Sequence, residues 1–266
     1  SVISCDIVPV QIGSGVSCQG VNSFLQTCEK YFPSADKAEV MKKATNIDTG
    51  EEVEADFDCA KPVSAYVFKT IMDPFVGKYS LVKVRTGILR AGDTVYNATK
   101  DVEEKLNKLY VMRGKNVIEV SELYSGDIGA IGKLASTRTG DTLSTRGWPI
   151  EYHPTTMSKP YTYMAYHAVN KGDEDKMAQA LTKLCIEDLT LKTVIDEENR
   201  QSLIYGIGEQ QIMIAASKLE DRYKVKIELD KPRIAFRETI RKKAQVQGKH
   251  KKQSGGHGQY GDVVME

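Results

Sequence analysis

The sequence holds no apolar run approaching the roughly 18 to 20 residues that a helix needs to cross a bilayer. Its first residues, SVISCDIVPV, lack the basic start and long apolar core of a secretory signal. The five cysteines (Cys5, Cys18, Cys28, Cys59 and Cys185) are odd in number and scattered, and no two form a C-x-x-C pair. That spacing argues against a disulfide framework and a zinc knuckle, and the four histidines also lack ligand spacing. No metal site is expected, and a reducing cytoplasm is the default compartment. A phosphate cradle of the G-x-x-x-x-G-K-[ST] type is missing too, because the four Gly-Lys pairs read GKY, GKN, GKL and GKH. No nucleophile, base and acid stand out as a set, so no catalytic residue is assigned.

What is present is an ordinary globular composition with an uneven charge. Hydrophobic residues make up 41% and charged residues 27% of 266 positions, enough for two or three domains with their own cores. The net charge of +1 hides a split. Arg233 to Glu266 carries eight Lys or Arg against three acids, whereas the rest of the chain is net acidic. Such asymmetry points to a local polyanion contact at one end.

Texture divides the chain into five parts. Residues 1–38 read as one α/β unit: a short buried strand (CDIVPVQI, Cys5 to Ile12), the turn Gly13-Ser14-Gly15, and a helix with Val21, Phe24, Leu25, Cys28 and Phe32 at helical spacing. Residues 39–60 are charged, carry the turn signal Thr49-Gly50 and look like a connector. Residues 61–148 switch to period two, with Val, Tyr and Thr in VSAYVFKTI, KYSLVKVRT and DTVYNAT. Gly-Asp recurs at Gly92-Asp93, Gly126-Asp127 and Gly140-Asp141, each pairing a permissive backbone with an Asp able to bond its own turn. Many short strands over this span predict a small closed β-barrel. Residues 155–231 read β-α-β-β-α-β, a ferredoxin-like sandwich. Residues 232–266 open with a strand, RIAFRETIRKKAQVQGK, and lead to a glycine-rich loop. The fold class expected is therefore multidomain α+β, a barrel followed by a βαββαβ sandwich with partial α/β segments at both ends.

Two motifs invite a nucleotide reading. Asn170-Lys171-Gly172-Asp173 matches the N-K-x-D pattern that reads guanine, yet with no phosphate cradle it is better read as a turn with Asp173 starting a helix. In KHKKQSGGHGQYG the lysines precede the glycines and no helix opens afterwards, unlike a phosphate loop. Successive amides from Ser254 to Gly258 offer an anion nest, and Gln253 and Gln259 suit nucleic-acid edges or riboses. The alternative is a solvated hairpin tip. The acidic Glu197 and Glu198 read as solvated.

The run RIAFRETIRKKAQVQGKHKKQSGGHGQYGDV resembles the start of the fourth domain of bacterial elongation factor G, the ribosomal translocase. VFKTIMDPFVGKYSLVKVRTGILRAGDTVYN, YSGDIGAIGKL and TGDTL resemble its second domain. MSKPYTYMAYHAVNKGDEDKMAQAL and YGIGEQQIMIA resemble its third, although the family usually reads G-M-G-E-L-H-L-E where this chain has Gly206 to Met213. VPVQIGSG is similar to the end of the GTPase domain, so the resemblance makes Gly13, Ser14 and Gly15 a nucleotide-binding remnant. It further implies a fragment of a larger GTPase, with the phosphate loop and switches upstream. GTP and Mg would then serve the full-length parent, with no cofactor and no catalysis in the fragment itself.

By the same resemblance the tip residues Gln253, Ser254, Gly255, Gly256, His257, Gly258 and Gln259 reach tRNA and mRNA at the decoding site. Arg241, Lys242, Lys243, Lys249, Lys251 and Lys252 would contact RNA phosphates. The implied partners are the ribosome, its RNA and a small-subunit protein, with no membrane and a monomeric state. The implied function is tRNA-mRNA translocation. A paralogue acting in ribosome recycling or protection, or a nucleotide-independent RNA-binding module, remain as alternatives.

Overall fold

Glycine turns and period-two strands dominate the middle of the chain, and two amphipathic helices follow them. The computed structural model describes residues 2–34, 37, 43–73, 77–114 and 116–266. The first element is helix α1 (Val21–Tyr31), started by Gly20 in the left-handed region at φ 82°. None of its residues is buried, and Phe24 and Leu25 are exposed. The strand expected over Cys5 to Ile12 does not form. No neighbouring strand among the described residues supplies ladder hydrogen bonds, and Val8, Val10 and Ile12 point into solvent.

The expected connector is also corrected, in part. Strands β1 (Lys43–Asn46) and β2 (Glu52–Glu54) form a hairpin around Gly50 at φ 70°, with Asn46 Oδ1 accepting from the amides of Asp48 and Thr49. Residues 39–42 lie outside the described residues. The barrel strands are β3 (Ser64–Asp73), β4 (Gly77–Thr86), β5 (Ile88–Arg90), β6 (Thr94–Asn97), β7 (Val102–Lys105), β8 (Leu109–Arg113), β9 (Asn116–Val120), β10 (Glu122–Tyr124), β11 (Ile128–Gly132) and β12 (Thr142–Ser144). Strand β13 (Ile150–Tyr152) then returns to pair with β1, giving the small sheet β13-β1-β2. Ala44, Ala55, Tyr66, Ile150 and Tyr152 close a core between this sheet and the barrel.

The eight-stranded antiparallel sheet runs β7-β6-β12-β3-β4-β11-β8-β9 and curls around Val67, Val82, Leu109, Ile131 and Leu143. Its end strands β7 and β9 do not pair with each other. The separate β5-β10 ribbon adds Leu89 and Leu123 to the same core, so closure comes from packing rather than from a continuous ladder. All three glycines of the Gly-Asp turns, and two of the three aspartates, behave as their sequence suggests. Gly92, Gly126 and Gly140 sit at φ 95°, 95° and 96°, and the Asp127 and Asp141 carboxylates accept from the Tyr124 and Arg138 amides of their own turns.

Next come β14 (Thr162–Ala168), α2 (Glu174–Glu187), β15 (Lys192–Asp196), β16 (Gln201–Gly206), α3 (Glu209–Tyr223) and β17 (Ile227–Asp230). Sheet order β15-β16-β14-β17 with both helices on one face is the predicted ferredoxin-like sandwich. Met177, Leu181 and Leu184 of α2 and Ile212, Ala215 and Leu219 of α3 pack on Ile204 and Ile227. Barrel and sandwich are joined at Glu187, whose Oε1 accepts from the Met72 amide at 2.7 Å while Oε2 pairs with Arg222 at 3.1 Å. The strand expected from Arg233 begins only at Val246; residues 231–245 form no strand. The chain ends in the hairpin β18 (Val246–Ser254) and β19 (His257–Met265). Among the described residues, no helix is long and apolar enough to cross a membrane.

Candidate nucleic-acid interface

The stretch read as a glycine-rich loop is almost wholly strand. Pairing runs from Val246↔Met265 to Ser254↔His257, leaving only Gly255 and Gly256 as the turn. Gly255 takes φ 69° and Gly256 stays out of the left-handed region, the pattern of a hairpin turn that needs glycine at its first central position. The anion nest expected from Ser254 to Gly258 is therefore not available as one run. Ser254 and His257 are paired with each other, and Gly258 with Gln253. A Cβ built at Gly256 or Gly258 meets nothing within 4 Å, so packing inside this chain does not demand glycine at either position.

Register sorts the side chains onto two faces, because alternate residues of a strand point to opposite sides. Gln247, Lys249, Lys251 and Gln253 share one face with Tyr260 and Asp262; His250, Lys252, Gln259 and His257 share the other. The six proposed phosphate contacts consequently differ. Lys249 lies 3.4 Å from Asp262, and Lys243 lies 3.3 Å from Glu266, so both are partly neutralised. Among the described residues, Arg241, Lys242, Lys251 and Lys252 have no ion-pair partner. Lys251 and Lys252 sit on opposite faces of the arm. Tyr260 was missed in the sequence reading. It lies directly opposite Lys251, is exposed, and steadies its hydroxyl on Asp262 at 3.1 Å. Period two through KHKKQ and GQYGD was the signal that would have found it.

The nucleotide-like motifs stay apart from this arm. Gly13, Ser14 and Gly15 line a 230 Å³ cavity with Gln19, Gly20 and Phe24 beside α1. A Cβ at Gly13 would come within 2.9 Å of the Gln19 carbonyl, and the Ser14 amide donates to that same oxygen, so this loop is folded tightly on itself. The Asn170-to-Asp173 motif is a turn. Asn170 Nδ2 donates to Asp173 Oδ2 at 3.1 Å, and Asp173 stands at the N-terminal boundary of α2. Glu198 is exposed, as its sequence suggests, and on that surface it pairs with Arg237 at 3.0 Å.

Residues 62–146 match the family model described as elongation factor G domain 2, residues 157–231 match elongation factor G domain III, and residues 232–266 match elongation factor G domain IV. The chain belongs to the elongation factor G family. Within that family assignment the barrel is the second domain, the sandwich the third, and the basic hairpin lies in the domain IV match. The loop at Gly13–Gly15 and the β1-β2 hairpin fall outside all three matched spans. Among solved structures the chain is similar to a crystal structure of a Thermus thermophilus protein, with 32% identity and a TM-score of 0.68. That similarity covers 96% of this chain and 36% of the other, so the chain spans about a third of that relative.

Proposed function

We propose that this chain is part of an elongation factor G-like GTPase that binds the ribosome and promotes tRNA-mRNA translocation, with the β18-β19 hairpin as its RNA-contacting tip. The observation that carries the reading is a narrow arm with Lys251 and Lys252, unpaired among the described residues, on its two faces and a turn whose Gly256 has no packing reason to be glycine. Glycine there lets RNA backbone approach closely. Gln253 and Gln259 offer donors and acceptors to the shallow minor groove and its 2′-hydroxyls, and Tyr260 offers a ring for stacking. Nothing in the arm is placed to cut a bond, so its part is steric and positional. Hydrolysis is assigned to a phosphate cradle outside these 266 residues, which neither hold GTP tightly nor turn it over. GTP and Mg belong to the larger factor.

The test uses that larger factor. Gln253→Ala should slow tRNA-mRNA movement several-fold while ribosome-stimulated GTP hydrolysis stays nearly unchanged. Equal loss of both rates would mean that the tip acts through general binding or folding. Unchanged movement would reduce it to a solvated turn. A specialised paralogue is the second reading, favoured by Gln211 where the family usually has His. Its amide nitrogen donates to Asp188 at 2.8 Å and Thr190 at 2.7 Å, and its oxygen accepts from the Ile207 amide. That position is committed to holding the start of α3.

A further inference from the structure

The sandwich sheet has helices on one face only. On the other face Tyr163, Val194, Leu203 and Tyr205 line a cavity whose remaining wall includes Arg233, Ile234 and Ala235, from the strap that leads to the hairpin. Leu203 is only 5% exposed although no helix among the described residues covers that side. The strap is held by side chains from the β15-β16 turn. Gln201 clamps Arg233 in both directions, its Oε1 accepting from the Arg233 amide at 2.9 Å and its Nε2 donating to the Arg233 carbonyl at 2.8 Å. This reproduces with one side chain the paired bonds of a strand neighbour. Arg233 reaches the Asn199 carbonyl at 3.4 Å, and Arg237 pairs with both oxygens of Glu198 at 3.0 and 3.2 Å. Gln201 is itself anchored, since Nε2 also donates to Asp196 Oδ2 at 2.9 Å. Hydrogen bonds from Gln201 and Asn199 hold the Asp196 carboxyl below its ordinary range, so the anchor stays ionised near neutrality.

We propose that Gln201 is a positioning residue for the basic arm: it pins the strap at Arg233 and, with the Glu198–Arg237 pair, shortens the free tether of the hairpin. Unpinned, the tether runs over 231–245. Pinned as far as Arg237, it runs over 238–245. The volume a flexible tether explores grows roughly as the three-halves power of its length, so pinning concentrates the tip about 2.5-fold. The inference leans on the proposed RNA-contacting role of the hairpin for its purpose, not for its geometry.

Amide hydrogen exchange and backbone amide relaxation on the whole chain test it, comparing the parent with Gln201→Ala and Arg237→Ala. In Gln201→Ala the Arg233 amide should exchange at least about tenfold faster, and when Arg237→Ala is added to it the amides of 246–265 should gain independent motion, while those of α2 and α3 keep their protection. Unchanged Arg233 exchange in Gln201→Ala, or unchanged hairpin motion in the double variant, overturns the proposal. If Gln201→Ala also loosens α2 and α3, the exposed Arg237→Ala decides: extra hairpin motion supports the pin and no extra motion overturns it. A short single-stranded RNA should bind the parent and Gln201→Ala alike, within about twofold, because the tip is untouched. Failure of both to bind would remove the RNA reading and leave the pin to be judged on exchange and motion alone.

Discussion

Gly255 and Gly256 are adjacent in the turn and answer to different constraints. At Gly255 the backbone has φ 69°, where a side chain costs about 1–2 kcal/mol whatever the space around it. At Gly256 neither the backbone nor a neighbour objects, since an added Cβ meets nothing. The two substitutions therefore separate folding from recognition. Gly255→Val should fray the hairpin. Gly256→Ala should leave the chain's melting transition and the 246–265 amide spectrum intact, yet weaken binding to small-subunit RNA several-fold. If Gly256→Ala binds as tightly as the parent, no partner approaches the turn closely and its glycine is incidental.

At the scale of the element, the hairpin is a two-sided arm with little to hold it. A lone two-stranded hairpin is marginal in water, and among the described residues β18 and β19 pack chiefly on each other. Lys249 is already engaged by Asp262, whereas Lys251 and Lys252 have no ion-pair partner among the described residues. Each phosphate neutralised steepens the fall of log affinity with log salt by about 0.7 to 0.9. Lys251→Gln and Lys252→Gln should each remove close to one such step, because neither lysine has an ion-pair partner among the described residues. Lys249→Gln should remove less, because Asp262 already competes for it at 3.4 Å. Filter-binding titrations across salt read the slopes, and identical slopes for all three variants would sink the distinction. How legible such elements were depended on where their partners came from. The sandwich was legible because α2 and α3 each bury a stripe at helical spacing and the sheet pairs locally. The β1-β2 hairpin was not, since KATN and EVE are polar and their third strand arrives from Ile150, far along the chain. The strand read at Cys5 failed for the converse reason: apolar residues alone do not make a strand without a neighbour. The tip was found by its residues, but its pairing and Tyr260 needed the alternation to be followed through the glycines.

Across the whole molecule, nucleotide-like and RNA-like chemistry lie on different parts. The Gly13–Gly15 loop sits beside α1 at one end of the chain, and the arm sits at the other, with the barrel and sandwich joined at Glu187 between them. The loop offers only a small, partly apolar cavity, and the Ser14 amide is already committed to the Gln19 carbonyl, so at most one edge of a base fits there. Tight nucleotide binding also needs amides or cations arranged around the phosphates, and each of the four Gly-Lys pairs lacks the Ser or Thr that follows in such a loop. Contacts to a base edge alone stabilise binding by on the order of 4 kcal/mol, which corresponds to a millimolar dissociation constant. Titration calorimetry of the chain with GTP and Mg should accordingly show no saturable heat in the micromolar range, and phosphate release should stay at the uncatalysed background. Micromolar binding would mean that the cavity at Gly13 reads more than a base. Turnover would place hydrolysis inside these 266 residues and return the hairpin's cations to the list of candidate phosphate ligands.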